Sequence, residues 1–320
     1  MNKEVYGNTW EKEVSDNGAF VRHPTSFHSK CRADRRAEFP AASNRYHLYV
    51  SYACPWAHRT LIVRKLKGLD KAITVDVVDP ILPRSGWSFN KGIQGATGDR
   101  VNDFKDLRDV YLTSNPDYEG AITVPVFWDK NGNRIVNNES SEIIRFLNSE
   151  FQEFAEHPDV DLYPEELREQ IDELNEWIYA SINNGVYRCG FAKSQAAYSG
   201  AFKRLFEALD RAEDTLSRQR FLTGNRLTEA DVRLFTTLLR FDPVYVTHFK
   251  TNKYRVVDYP ALWGFVRDVF QMPGVAETEN MEHIKRHYFE SHRHINPSGI
   301  VPDGPELDFC EPQNRARLAS

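Results

Sequence analysis

Polar side chains dominate the first 44 residues and no apolar period persists there, which reads as an arm wrapped on the surface. The pattern then changes. Tyr46-His47-Leu48-Tyr49-Val50 is a short aromatic and aliphatic run ending at Ser51, and helical spacing follows at Ala57, Leu61, Ile62 and Leu66. Pro55 suits a first helical position and Gly68 a stop, so Cys54 falls at the N-cap. A second strand follows at 73–78, and the strand-helix-strand order implies a parallel pair with a right-handed crossover. Residues 79–120 carry five glycines and three prolines and are too long for an ordinary loop, reading as an insertion over a site. Two strands, 123–129 and 134–137, flank the turn 130–133 as an antiparallel hairpin, and helical spacing resumes at Ser140.

Beyond residue 150 no strand pattern is found. Helical repeats run over 165–183, 201–217, 229–239 and 261–270, and Thr228-Glu229-Ala230-Asp231 resembles a capping box with Asp in place of the usual Glu. The chain divides into an arm at 1–44, an α/β domain at 45–150, an all-helical domain at 160–290 and an ordered tail at 291–320.

Composition narrows the function classes. At 320 residues with 41% apolar and 12% aromatic side chains there is ample material for packed cores. The 41 basic and 46 acidic residues are interspersed, giving a net charge of -5, so neither nucleic acid nor an anionic membrane is indicated. No apolar run reaches the roughly 18 residues of a spanning helix, and the start lacks the apolar core of a secretory signal; a cytoplasmic protein is the expectation. Cys31, Cys54, Cys189 and Cys310 have no short paired spacing, which argues against zinc and against a disulfide framework. His283 and His287 lie four apart on one helical face but lack a companion ligand set, and read as surface or pocket-wall histidines.

Cys54 is the candidate nucleophile. The positive end of a helix dipole and unpaired backbone N-H groups favour thiolate over thiol at such a position. The plain alternative is a small residue closing a turn. A second element is Val124-Pro125, opening a strand where proline needs no ladder donor. Only about 5–6% of X-Pro bonds are cis in folded proteins, but a strand, a helix headed by Cys-Pro, a strand, Val-Pro-Val-Phe and a Ser-led helix is the layout of a thioredoxin-like domain, in which that proline is cis.

The runs Cys54-Pro55-Trp56-Ala57-His58-Arg59-Thr60, Thr123-Val124-Pro125-Val126, Asn138-Glu139-Ser140-Ser141-Glu142 and Ile295-Asn296-Pro297-Ser298-Gly299 closely resemble the glutathionyl-hydroquinone reductases, also called xi-class glutathione transferases. The resemblance covers nearly the whole chain. It implies a thioredoxin-like βαβ-ββα domain binding glutathione, followed by the all-helical domain of glutathione transferases. It further implies Cys54 as nucleophile and a glutathione pocket formed by Trp87, Val124, Pro125, Glu139 and Ser140. Tyr187 and Tyr288 would donate to hydroquinone oxygens in a pocket between the domains. Glutathione is then the co-substrate, with no metal and no nicotinamide, and the protein a homodimer. The family often has arginine where this chain has Ala121, leaving one basic contact to glutathione unassigned. Bland readings accompany several positions: an N-cap for Ser140, a pin for the insertion for Trp87, and core or rim for each tyrosine.

Ala57 stands where a dithiol oxidoreductase carries a resolving cysteine, so a monothiol cycle is expected. The alternatives are an omega-like glutathione transferase acting as dehydroascorbate reductase or thiol transferase, and a noncatalytic glutathione-binding scaffold. The insertion and the Ile-Asn-Pro tail favour the quinone-specific family, and an intact Cys54 speaks against a scaffold.

Overall fold

The structure, a computed structural model, describes residues 14–319 apart from Asp16, His23 and Arg84. The start of the expected arm, residues 1–13, lies outside them. Strand β1 (Tyr46–Val50) leads into helix α1 (Pro55–Leu66), then β2 (Ile73–Val77), α2 (Leu107–Ser114), β3 (Val126–Asp129), β4 (Arg134–Asn137) and α3 (Ser140–Ser149). The sheet order is β2-β1-β3-β4. β1 is parallel to β2, with Tyr46 opposite Ile73, and antiparallel to β3, with Tyr46 opposite Asp129. β3 and β4 form the expected hairpin.

Every residue of β1 is buried, as befits the centre of a sheet covered on both faces. α1 packs on α3, and α2 packs against β4. α2 is a departure from expectation, because residues 79–120 read as one irregular insertion. It is only eight residues long, with Leu107, Val110 and Tyr111 as its buried stripe and the Asp109 carboxylate accepting from the Asp106 N-H at 3.3 Å.

After α3 come α4 (Arg168–Ile178), a π-helical turn at Tyr179–Asn183, α5 (Asn184–Gly190), α6 (Gln195–Arg218), α7 (Glu229–Arg240), a second π turn at Phe241–Tyr245, α8 (Val246–His248), α9 (Pro260–Phe270) and α10 (Met281–Ser291). The fold is therefore the expected one, a thioredoxin-like sheet followed by helices. The capping box opening α7 is present, with Asp231 accepting from the Thr228 N-H at 2.8 Å.

Contacts divide the chain into two units. A sheet unit holds His23–Val160 together with Glu277–Gly299; a helical unit holds Asp161–Ala276, Ile300–Ser320 and the described part of 12–22. Helix α10 thus falls in the sheet unit, whereas the expected all-helical domain runs to residue 290. The reason is a set of fixed points. The His58 Nε2 and Thr278 Oγ1 lie 2.8 Å apart, and the Leu82 N-H donates to the Ser291 hydroxyl at 2.9 Å. In the helical unit the tail is held by Arg315, whose guanidinium donates to the carbonyls of Leu216, Gln219 and Arg220 at 2.9, 2.8 and 2.7 Å.

The described arm does more than lie on the surface. Phe20, Cys31 and Phe39 are buried, and in the sheet unit His28 bridges to Asn137 beside the β4 edge. Aromatic side chains spaced along a polar segment serve as plugs, a pattern that leaves no helical or strand period to read.

Candidate functional site

β1 delivers the chain to its C-terminal end, where Cys54 caps α1 with extended backbone angles (φ -78°, ψ 117°) and Pro55 takes the first helical position. Cys54 is half-buried, and its thiol donates to the Val124 carbonyl at 3.5 Å. The Val124-Pro125 peptide is cis, and Val124 itself is buried. Ala57, one turn along α1, is fully buried.

The segment before the cis bond is fixed from behind. The Tyr111 hydroxyl donates to the Thr123 carbonyl at 2.8 Å, while accepting from the Thr123 N-H at 3.1 Å and the Asn138 amide at 3.0 Å. Burial, the main cause, pushes the Tyr111 hydroxyl up to about 12, so it stays a donor across the working pH range.

Glu139 and Ser140 open α3. Glu139, not Ser140, is the N-cap: its Oε1 accepts from the Ser141 N-H at 3.0 Å and the Ser141 hydroxyl at 2.9 Å, while Thr25 Oγ1 lies 3.3 Å from Oε2. Ser140 is buried at the first helical position, and the Arg59 Nη1 donates to its Oγ at 3.4 Å. Arg59 is only 2% exposed and lies over the Trp56 ring with 4.4 Å to the centroid. Arg59 lies within the Cys54-to-Thr60 run and has no role in the sequence reading. Its signal is a charged residue three and seven positions before Ile62 and Leu66, on the apolar face of α1.

Trp87 lies on the backbone that runs from the same end of the sheet. The Val78 N-H donates to the Val50 carbonyl and the Asp79 N-H to the Ser88 carbonyl, both at 2.9 Å, so residue 87 is carried back to the C-terminal edge of the parallel strands. Ligands in open α/β sheets bind outside such edges. The Trp87 ring stacks on His287 at 4.9 Å with 16° between planes.

Tyr288 follows His287 on α10 and is buried in the sheet unit, its ring edge-on to His292. Tyr187 is on α5 of the helical unit, among Phe20, Phe191, Tyr245 and Phe249, with the Arg22 guanidinium 4.9 Å from its ring centroid. His283 and His287 are both buried, so of the two readings, surface or pocket wall, the surface one is corrected. Each is drawn inward by a carbonyl acceptor, Gln94 and Pro80 respectively, at 2.8 Å. Among the described residues no cluster of three or more His, Cys, Asp or Glu is placed to hold a metal ion, and no helix is long and apolar enough to cross a membrane. Burial pushes the Cys31 and Cys189 thiols up to about 12, so neither is a nucleophile at neutral pH.

The sequence matches the family model for the glutathione S-transferase N-terminal domain over residues 53–150 and that for the C-terminal domain over residues 195–268. The glutathionyl-hydroquinone reductase YqjG of Escherichia coli (strain K12) is 52% identical over 317 residues, 97% of this chain and 96% of that protein. Its glutathione-bound structure, covering 91% of this chain and 96% of its own, aligns with a TM-score of 0.88 at 53% identity. The glutathione S-transferase Xi of Phanerochaete chrysosporium aligns with a TM-score of 0.90 at 49% identity, covering 94% of this chain and 97% of its own. Agreement of this depth across nearly the full length places the chain in the xi class of glutathione transferases, the glutathionyl-hydroquinone reductase family.

Proposed function

We propose that this protein removes glutathione from glutathionyl-hydroquinones, using Cys54 as its single nucleophile and a second glutathione as reductant. The observation that carries the reading is the Cys54 thiol at a helix N-cap, 3.5 Å from the carbonyl of a cis-proline neighbour, with alanine one turn on. The family assignment supplies the substrate class.

In the first step the Cys54 thiolate attacks the glutathione sulfur of the conjugate. A sulfur-sulfur bond forms and the sulfur-to-ring bond breaks; the electron pair stays with the ring carbon, which takes a proton, and hydroquinone leaves. Cys54 and the glutathione sulfur are oxidised to a mixed disulfide while the ring carbon is reduced. In the second step the thiolate of another glutathione attacks the glutathione sulfur of that disulfide, giving oxidised glutathione and free Cys54. Ala57 supports the choice of reductant, since no thiol at that position competes for the mixed disulfide.

Each remaining residue has a part in this reading. The Val124 main chain pairs with the cysteinyl backbone of glutathione beside Pro125. Ser140 and the α3 N-terminus take the γ-glutamyl carboxylate, where backbone N-H groups and the helix dipole favour an anion. Glu139 meets the ammonium through Oε2, the oxygen not engaged by Ser141. Trp87 covers the tripeptide, and Tyr187 and Tyr288 donate to the hydroquinone oxygens. The enzyme works in the cytoplasm as a homodimer.

The test is release of hydroquinone from a glutathionyl-hydroquinone in the presence of glutathione. Cys54→Ala lowers the rate by on the order of a thousandfold or more, as loss of a covalent nucleophile does. An unchanged rate would sink the mechanism.

A further inference from the structure

Helix α10 grips the segment that carries Trp87 at both of its ends. Toward the start of that segment, His287 bonds to the Pro80 carbonyl at 2.8 Å and Ser291 accepts from the Leu82 N-H at 2.9 Å. Toward its end, His283 bonds to the Gln94 carbonyl at 2.8 Å. Gly95 has φ +99°, and a Cβ built on it would stand 2.8 Å from the Asn280 Nδ2 and 3.0 Å from the His283 Nε2. Positions 280, 283, 287 and 291 recur at three or four residues and form one face of α10. Trp87 lies between the two grips, its indole flat on the His287 imidazole at 4.9 Å and 16°.

His287 thus makes two different contacts with one segment. A carbonyl oxygen only accepts, so the Nδ1 bonded to Pro80 carries a hydrogen, and that bond fixes the plane of the ring. The fixed plane is the surface on which the indole rests. The Trp87 backbone is held separately, its carbonyl accepting from the Leu107 N-H at 2.9 Å, so the orientation of the side chain is left to the stack.

We infer that His287 is a positioning residue for glutathione binding: it sets the plane of Trp87 and has no chemical role of its own. The inference rests on the reading that Trp87 covers glutathione. It also gives α10 a double duty, because Tyr288, assigned above to the hydroquinone, is the next residue along the same helix. Displacement of His287 should be felt in glutathione affinity before it is felt in turnover.

The experiment is a double-mutant cycle read in KM for glutathione and in kcat, with circular dichroism confirming the fold of each protein. His287→Asn keeps an N-H for Pro80 and removes the ring; it raises KM about three- to tenfold, the scale of an aromatic pair. At saturating glutathione, kcat stays within about twofold of native, as expected when uniform binding alone is lost. His287→Phe keeps a ring to stack on but loses the Pro80 bond that fixes its plane, and its KM falls between those of native and His287→Asn. In a Trp87→Ala background, His287→Asn produces no further rise. Equal rises in both backgrounds, no rise with His287→Asn, or a Phe variant as impaired as Asn would each overturn the inference. If Trp87→Ala by itself leaves KM unchanged, the glutathione role of Trp87 is what has failed, and the inference falls with it. If His287→Asn does not fold, the cycle is run with His287→Phe: a rise in KM that is present in the native background and absent with Trp87→Ala upholds the stack, and equal rises or none refute it.

Discussion

The Cys54 thiol donates to the carbonyl of Val124 across 3.5 Å, from a helix N-cap to the residue before a cis proline. A carbonyl that holds the proton of the thiol is also the acceptor available to a backbone N-H of bound glutathione. In the proposed reaction, binding the tripeptide and releasing the sulfur from its own acceptor are therefore the same event.

The Val124 carbonyl is in place because Tyr111 holds the residue before it. Tyr111→Phe removes one donor and one acceptor from a fully buried position and leaves the Thr123 and Asn138 groups without them. Unfolding in urea should show a loss of about 1–3 kcal/mol, and KM for glutathione should rise more than kcat falls. A variant with native KM would show that the cis-proline segment holds its shape without Tyr111.

Arg59 brings a positive charge to the Ser140 hydroxyl, and its planar head lies over Trp56. Arg59→Met should raise KM for glutathione by about tenfold, the scale of one charge-assisted hydrogen bond. Arg59→Lys keeps the charge but not the flat fork, and should fall between Met and native. Equal KM values for native and Met would assign Arg59 to packing alone.

Asp231 makes the stability of the α7 start depend on pH. Burial is the largest influence and pushes its carboxyl up to about 6 from an ordinary 3.8, against the opposing bonds from Leu222 and Thr228. A carboxyl whose folded value lies above its unfolded value favours folding in its protonated form. The penalty for ionising it therefore develops as pH rises from about 4 and is complete above about 6. Native protein should lose stability relative to Asp231→Asn between pH 4.5 and pH 7, read as the urea midpoint of each at both pH values. A difference independent of pH would contradict the shift.

Much of the sheet unit is legible in the sequence because its elements are periodic and punctuated. Tyr46–Val50, the Cys-Pro helix start and the hairpin turn each carry a local signal, as does the Thr228 box in the helical unit. α2 does not, since eight residues give barely two turns and sit amid glycines and prolines. Ser140 reads as a cap because serine usually caps, yet Glu139 takes that position and reaches the Ser141 N-H itself. His58 and Thr278 are 220 residues apart in sequence. No local pattern announces that bond, nor the allegiance of α10 to the sheet.

That allegiance bears on how the protein is made. A ribosome releases the β1-to-α3 region first, but the helix that completes its unit, at 281–291, is among the last segments synthesised. Domains generally fold as units during synthesis, N-terminal first. Here the sheet emerges early and must wait, with the floor beneath Trp87 still missing, until the whole 161–276 stretch has been made. Premature termination between Trp87 and α10 yields a polypeptide that has its nucleophile but lacks the helix that seats its tryptophan.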